Sequence, residues 1–190
     1  MLLSVLQPRA GESLLDVGCG TGFFTRELAG RVAGRIIGVD INNEWVRYAV
    51  QKGSSRTTYA VADARMLPFP KDSFDMVVSM ATLCFIKDPL VAMHEIVRVT
   101  RRRFAIGLLN RKSLLWVQKG RKGGRGAYHG AHWHTVGEAR SLFHGLPVRD
   151  LLVRTAIHLP TGGAASAFFE RIIPSSFPTG GFILVSGEIN

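Results

Sequence analysis

Cysteine is scarce in this 190-residue chain, and long apolar runs are missing. Cys19 and Cys84 form no C-x-x-C pair, which excludes a disulfide scaffold and a cysteine-based metal cage. The longest apolar run, Met76 to Ile86, is too short to span a bilayer. The first seven residues lack the basic start and the full apolar core of a secretion signal. Together with the chain length, these absences predict a single α/β domain over residues 1–190 in the cytoplasm.

Acidic residues are absent from residues 96–137, which contain ten Lys or Arg residues. This segment accounts for the whole net charge of +10. The default interpretation is a solvated, mobile loop. Two alternatives remain open: the segment recruits an anionic substrate such as a carboxylate or a phosphate, or it binds nucleic acid through the phosphates. Trp116, Tyr128 and Trp133 are interleaved with the basic residues and keep the nucleic-acid alternative open.

Short β-rich runs alternate with helical patterns up to residue 109, which indicates a parallel sheet with crossover helices. We predict strands at 13–17, 35–39, 58–62, 74–80 and 104–109, and helices at 22–31, at 43–52 (with Trp45 and Ala49 facing inward) and from Pro89 onward. A basic, glycine-rich loop over residues 110–134 follows. In T-V-G-E, Thr135 and Glu138 predict a capping box that opens a C-terminal helix. Residues 148–159 and 182–187 predict two final strands.

The most informative motif is LLDVGCGTGFF, from Leu14 to Phe24. Its glycines allow the backbone to approach a ligand closely, and ligands in open α/β sheets bind at the carboxyl ends of the strands. A dinucleotide fingerprint would have a small residue in place of Phe23. Asp16 would repel a pyrophosphate and would attract an ammonium or a sulfonium group.

Three successive predicted strands each end at, or are followed by, an aspartate: Asp16, Asp40 and Asp63. Any one of them alone is explained as a helix N-cap. All three at one edge of the sheet, beside the glycines, favour a ligand site. Asp40 lies about twenty residues beyond the turn, where a carboxylate accepts the hydroxyls of a ribose.

Four motifs within about residues 13–109 carry a family resemblance: D-V-G-C-G-T-G, the V-D of the second strand, D-A-x-x-L-P-F and D-S-F-D-M-V-V-S. They resemble the class I S-adenosylmethionine-dependent methyltransferases, within the group that includes the ubiquinone and menaquinone biosynthesis C-methyltransferases. The resemblance implies a Rossmann-like, seven-stranded, mostly parallel sheet with helices on both faces and an antiparallel last strand. It also implies S-adenosylmethionine as cofactor and a cofactor-binding half over about residues 10–109.

The resemblance further implies a set of cofactor-binding residues. Asp40 would hold the ribose, Ile41 would pack on the adenine, and Asp63 would accept the adenine amino group. The methionine end and the methyl group would be surrounded by the remaining candidates, with Ala64 beside the adenine: Asp16, Gly18, Cys19, Gly20, Gly22, Ser79 and Met80. Relatives carry one or two helices ahead of the first strand, whereas about a dozen residues precede Ser13 here. We therefore expect residues 110–134 to act as the lid.

The methyl acceptor is predicted to be a small molecule, in an anionic form if the basic segment recruits it. The end of the fourth strand lacks the Asn- or Asp-Pro-Pro-aromatic turn of amino-methylating nucleic-acid enzymes, and Cys84 does not follow a proline as in cytosine C5 enzymes. A specific nucleic-acid partner is therefore not expected.

Candidate catalytic residues lie in A-Y-H-G-A-H-W-H: Tyr128, His129, His132 and His134. We do not expect a metal site there, because no carboxylate or thiolate lies nearby in the sequence. Two other functions stay open: a nucleotide-dependent oxidoreductase using NAD, and a cofactor-binding protein with an incomplete acceptor site.

Overall fold

The computed structural model describes residues 2–32, 34–158 and 177–190. Seven strands form one sheet: β1 (Leu14–Val17), β2 (Ile36–Asp40), β3 (Thr57–Val61), β4 (Phe74–Met80), β5 (Thr100–Leu109), β6 (Val148–Ala156) and β7 (Phe182–Ile189). Their order is β3-β2-β1-β4-β5-β7-β6, and β7 runs antiparallel to both of its neighbours, β5 and β6, whereas the other pairs are parallel. The predicted seven-stranded, mostly parallel fold is confirmed.

Helices cover both faces of the sheet: α1 (Leu2–Leu6), α2 (Phe23–Ala29), α3 (Asn43–Lys52), α4 (Pro89–Val99) and α5 (Val136–Ser141). One core lies under α4 and α5 and includes Val77, Phe104 and Ile106. The opposite core lies under α1 and α2 and includes Met76 and Ile36. β1 and β4 read as nearly continuous apolar runs because both of their faces are buried.

The first helix, α1, and the early start of β5 differ from the sequence prediction. The fifth strand is predicted to begin at residue 104, but β5 begins at Thr100. Arg102 and Arg103 donate hydrogen bonds to backbone carbonyl oxygens of α1, and each also pairs with a glutamate. These partners lie about ninety residues away along the chain, so no local pattern marks them.

The C-terminal half also differs in detail from the prediction. Residues 110–134 contain short helical turns at Trp116–Gly120, Arg121–Gly123 and Gly126–Tyr128, and a β-bridge joins Asn110 to His134. β6 ends at Ala156, before the predicted end at residue 159, which lies outside the described residues. The segment between the two predicted final strands, residues 160–181, falls largely outside the described residues as well. The capping box of Thr135 and Glu138 is present as predicted. None of the helices described here is both long and apolar enough to cross a membrane.

Candidate functional site

A cavity of about 610 Å³ opens at the carboxyl ends of β1, β2, β3 and β4. This is the edge at which open α/β sheets bind their ligands, and the volume suits a small-molecule ligand. Seven of the predicted cofactor residues line it: Gly18, Gly20, Asp40, Ile41, Asp63, Ala64 and Met80.

The turn after β1 owes its shape to glycines with left-handed backbone angles. Gly18 has φ of 73°, and a Cβ placed there would lie 2.1 Å from the side chain of Thr82. The hydroxyl of Thr82 donates to the carbonyl oxygens of Val17 (3.2 Å) and Gly18 (3.1 Å). The side chain of Thr82 therefore occupies the space that a Cβ at position 18 would need, and its hydroxyl holds the turn by hydrogen bonds.

Asp40 ends β2 with its carboxylate buried against the glycine turn. One oxygen accepts a hydrogen bond from the backbone N–H of Gly20 (2.8 Å), and the other accepts one from the N–H of Asn42 (2.9 Å). Asn42, not Asp40, is the N-cap of α3. The carboxylate is thus fixed at the cavity wall, and each oxygen keeps a lone pair for a further donor.

Asp63 lies in the loop after β3 and pairs with Arg65. The guanidinium of Arg65 meets both carboxylate oxygens, with Nη2 at 2.7 Å from Oδ2. These hydrogen bonds hold the pKa of Asp63 below its usual range, so it is ionised at neutral pH. Arg65 also lines the cavity, so an ion pair faces this end of it.

Asp16 lies behind the cavity wall rather than in it, only 2% exposed. Its carboxylate accepts a hydrogen bond from the hydroxyl of Thr25 (2.7 Å). Burial raises the pKa of Asp16 to about 6; the nearby Asp40 adds to the rise, and the Thr25 hydrogen bond opposes it.

Cys19, Gly22 and Ser79 are likewise not among the residues that line the cavity. Burial raises the pKa of the Cys19 thiol, which rules out a ready thiolate. Gly22 packs against Tyr59 and Ala49. Ser79 is fully buried in β4, and its hydroxyl has no partner among the residues described. These positions lie outside the cavity lining, and their contact with the ligand stays a prediction.

Several residues that line the cavity were not predicted. Trp45 was expected to face inward, but it is 50% exposed and lines the cavity beside Ile41, which is 66% exposed. Its place in the first turn of α3, just after Asp40, could have signalled this. The other unpredicted lining residues are Ala62, Arg65, Ala81, Thr82, Phe85, Ile86, Lys87 and Ala127.

Ala81 is a non-glycine residue in the left-handed region, with φ of 63°. Its N–H donates to the carbonyl oxygen of Gly107 on β5 (2.8 Å), which holds the strained residue at the end of β4. Strain of this kind collects at functional sites.

A second cavity, of about 520 Å³, shares Phe85, Ile86 and Lys87 with the first. His132 and His134 line it, with their ring centroids 4.5 Å apart. Burial, with a smaller contribution from the neighbouring His132, lowers the pKa of His134 to about 4, so this imidazole is neutral at pH 7. The ring of His132 is exposed.

Tyr128 and His129 line neither cavity. Tyr128 packs against the Trp133 ring at 5.6 Å, and His129 is exposed. Across residues 2–32, 34–158 and 177–190, no three His, Cys, Asp or Glu side chains meet in a way that could hold a metal ion.

A family model described as "Methyltransferase domain" matches residues 15–104. An O-methyltransferase of Penicillium expansum is 35% identical over 101 residues, which are 50% of this chain and 37% of that protein. Nocamycin O-methyltransferase of Saccharothrix syringae is 37% identical over 114 residues, which are 56% of this chain and 40% of that protein. The matches thus span less than half of the length of these curated relatives.

Among solved structures, a SAM-dependent methyltransferase of Thermotoga maritima, a possible histamine N-methyltransferase by its description, superposes with a TM-score of 0.77. The alignment has 22% identity and covers 99% of this chain and 89% of that chain. At this identity the likeness establishes the fold.

Proposed function

We propose that this chain is a class I methyltransferase, which transfers the methyl group of S-adenosylmethionine to a hydroxyl oxygen of a small molecule. The observation that carries the proposal is the cavity at the carboxyl ends of β1 to β4, where the glycine turn and the fixed carboxylate of Asp40 face the same space. The two curated relatives named above are O-methyltransferases, which favours oxygen as the acceptor atom.

The residues of the cavity fit the parts of this cofactor. Asp40 is fixed by two backbone donors and accepts the ribose hydroxyls with its remaining lone pairs. Ile41 and Trp45 offer exposed apolar surface to the adenine ring, and Asp63 accepts the adenine amino group. Gly18 lets the backbone of the turn approach the methionine end. When bound, S-adenosylmethionine supplies an electrophilic methyl group on a sulfonium, so the protein's task is to align an acceptor and to remove its proton.

Asp16 acts from behind this wall through its charge. An ammonium or sulfonium group in the cavity favours the ionised form of Asp16, whose pKa of about 6 lies just below neutral pH. Cys19, Gly22 and Ser79 hold the turn and the end of β4 in place.

We assign the acceptor to the second cavity, with His132 as the general base. This cavity shares Phe85, Ile86 and Lys87 with the cofactor cavity, so the two cavities adjoin. The neutral ring of His134 lies beside the ring of His132, with the centroids 4.5 Å apart. Lys87 gives an anionic acceptor a partner.

The resemblance to ubiquinone and menaquinone C-methyltransferases favours a second outcome, a carbon acceptor.

A reducing compartment such as the cytoplasm suits the two free cysteines. Residues 110–134 contribute Ala127 to the cavity wall, which supports the lid prediction.

Calorimetry with S-adenosylmethionine, S-adenosylhomocysteine and NAD tests the cofactor assignment. We expect binding of the first two and none of NAD; tight NAD binding alone would support an oxidoreductase. Transfer of a labelled methyl group to a panel of phenols, alcohols and hydroxyquinones then tests the acceptor class, and mass spectrometry of the product separates O- from C-methylation. Cofactor binding with no transfer to any of them would favour the cofactor-binding alternative.

The variant His132→Gln tests the base. We expect turnover to fall by about 100-fold or more while the affinity for S-adenosylhomocysteine stays unchanged. His129→Gln is the matched control, because His129 is exposed and lines neither cavity. Equal turnover of both variants and the wild type would rule out His132 as the base.

A further inference from the structure

The excess positive charge of residues 96–137 is confined by the fold to a smaller region. Half of its ten cations form ion pairs, namely Arg98, Arg101, Arg102, Arg103 and Arg111 with Glu95, Asp75, Glu12, Glu188 and Glu138 respectively. The other five are exposed, and no ion pair joins them to any residue that the structure describes: Lys112, Lys119, Arg121, Lys122 and Arg125. All five lie within residues 111–130, here called the basic lobe, which contains no acidic residue.

Backbone hydrogen bonds give the basic lobe a defined shape. The N–H of Arg125 donates to the carbonyl oxygen of Lys119 (2.9 Å), and the N–H of Gly130 donates to that of Gly123 (2.9 Å). These bonds fold the chain back on itself, so the five cations are held on one short segment.

The aromatic residues interleaved with these cations turn toward the protein. Trp133 is only 5% exposed, and Trp116 and Tyr128 pack against the core beneath α4 and α5. Single-stranded nucleic acids bind by stacking their bases on exposed aromatic side chains. The packing of these three rings removes that platform and disfavours the nucleic-acid interpretation.

Aliphatic side chains of the basic lobe point outward instead. Leu114 is 41% exposed and Val117 is 49% exposed; Leu114 lies just before the helical turn at Trp116–Gly120, and Val117 lies within it. Leu115 and Gly120 of the same stretch are buried. Lys112 and Lys119 flank the exposed pair in the sequence.

Exposed aliphatic side chains flanked by cations are suited to a lipid surface with acidic headgroups. The apolar groups enter the headgroup boundary, and each nearby cation adds electrostatic attraction to the acidic headgroups. We propose that the basic lobe docks this protein on a membrane surface that contains acidic phospholipids. Ala127 of the lobe also lines the cofactor cavity, so docking places the cavity wall beside the lipid.

Sedimentation of the full chain with lipid vesicles tests the proposal. We expect binding to phosphatidylcholine vesicles that contain about 30 mol % phosphatidylglycerol, weakening with added salt, and none to phosphatidylcholine alone. The double variant Lys119→Glu/Lys122→Glu should bind at least about 30-fold more weakly. The matched control is Arg47→Glu/Lys52→Glu, which makes the same change of net charge at exposed positions of α3.

A second variant, Leu114→Ser/Val117→Ser, tests the apolar contribution. It should keep binding at low salt and lose it at physiological salt. Equal loss in the α3 control would reduce the effect to net charge and would overturn the proposal. Tighter binding of single-stranded poly(U) RNA than of the acidic vesicles at physiological salt would overturn it in favour of nucleic acid. Calorimetry with S-adenosylhomocysteine on each variant verifies folding and tests the proposed function independently of the vesicles.

Discussion

Replacing Asp40 by Asn tests the ribose assignment at the residue on which it depends most. The substitution preserves shape but removes the charge. An amide oxygen keeps one of the two backbone bonds, to Gly20 or to Asn42, and its NH₂ group faces the other N–H. A hydrogen bond to a charged group contributes about 1.5–3 kcal/mol, so we expect S-adenosylhomocysteine to bind roughly 10- to 150-fold more weakly.

The same variant should also lose stability without ligand. An N–H left unsatisfied in the turn costs about 1–3 kcal/mol, which urea denaturation measures directly. Glu44→Gln is the matched control, because Glu44 is an exposed acid in the first turn of α3 and should change neither quantity. A folded Asp40→Asn protein that binds S-adenosylhomocysteine within about twofold of the wild type would refute the ribose assignment.

Three further substitutions test the surroundings of the cavity. Burial raises the pKa of Asp16 from 3.8 to about 6, so the folded state loses stability as pH rises through 6. In denaturant titrations, Asp16→Asn should therefore raise the free energy of unfolding by about 3 kcal/mol at pH 8 and by little at pH 4. An equal gain at both pH values would contradict the raised pKa. Thr82→Val removes the hydroxyl that holds the glycine turn and should destabilise the fold by about 1 kcal/mol and weaken S-adenosylhomocysteine binding, whereas unchanged binding would show that this hydroxyl is dispensable. Ala81→Gly relieves a left-handed backbone and should raise stability by about 1 kcal/mol in thermal melts; a loss of stability would show that the φ of 63° is not strained.

Most of the sheet and the glycine turn could be predicted from the sequence because their signals are local. Strands buried on both faces, such as β4, are apolar throughout, and a run of glycines directly after such a strand predicts a tight turn. Asp40 and Asp63 could be placed at the cavity because the carboxyl ends of parallel strands share one edge.

The remaining features depend on side-chain contacts and burial that no local sequence pattern marks. Asp16 is predicted at the cavity because it directly precedes the glycine turn. In the structure, the hydroxyl of Thr25 hydrogen-bonds to its carboxylate, and the side chain lies behind the cavity wall. Trp45 is apolar, and its position in α3 predicts a buried side chain. It is exposed because α3 begins at the edge of the sheet where the cavity opens. The division of the basic segment into paired and unpaired cations requires partners such as Glu12 and Glu188, which lie far from it in sequence.

The pairing of β5 with β7 has a consequence for any shortened form of this chain. The family match ends at residue 104, within β5, whereas β7 comes from the far end of the chain and pairs with residues 103–109 of that strand. A fragment that ends after β5 would leave the backbone N–H and C=O groups of that strand open along an apolar run. Open edges of this kind template strand addition between molecules. We therefore expect fragments cut near residue 104, where the family match ends, to self-associate. In the full chain, the pairing of β7 with β5 prevents this.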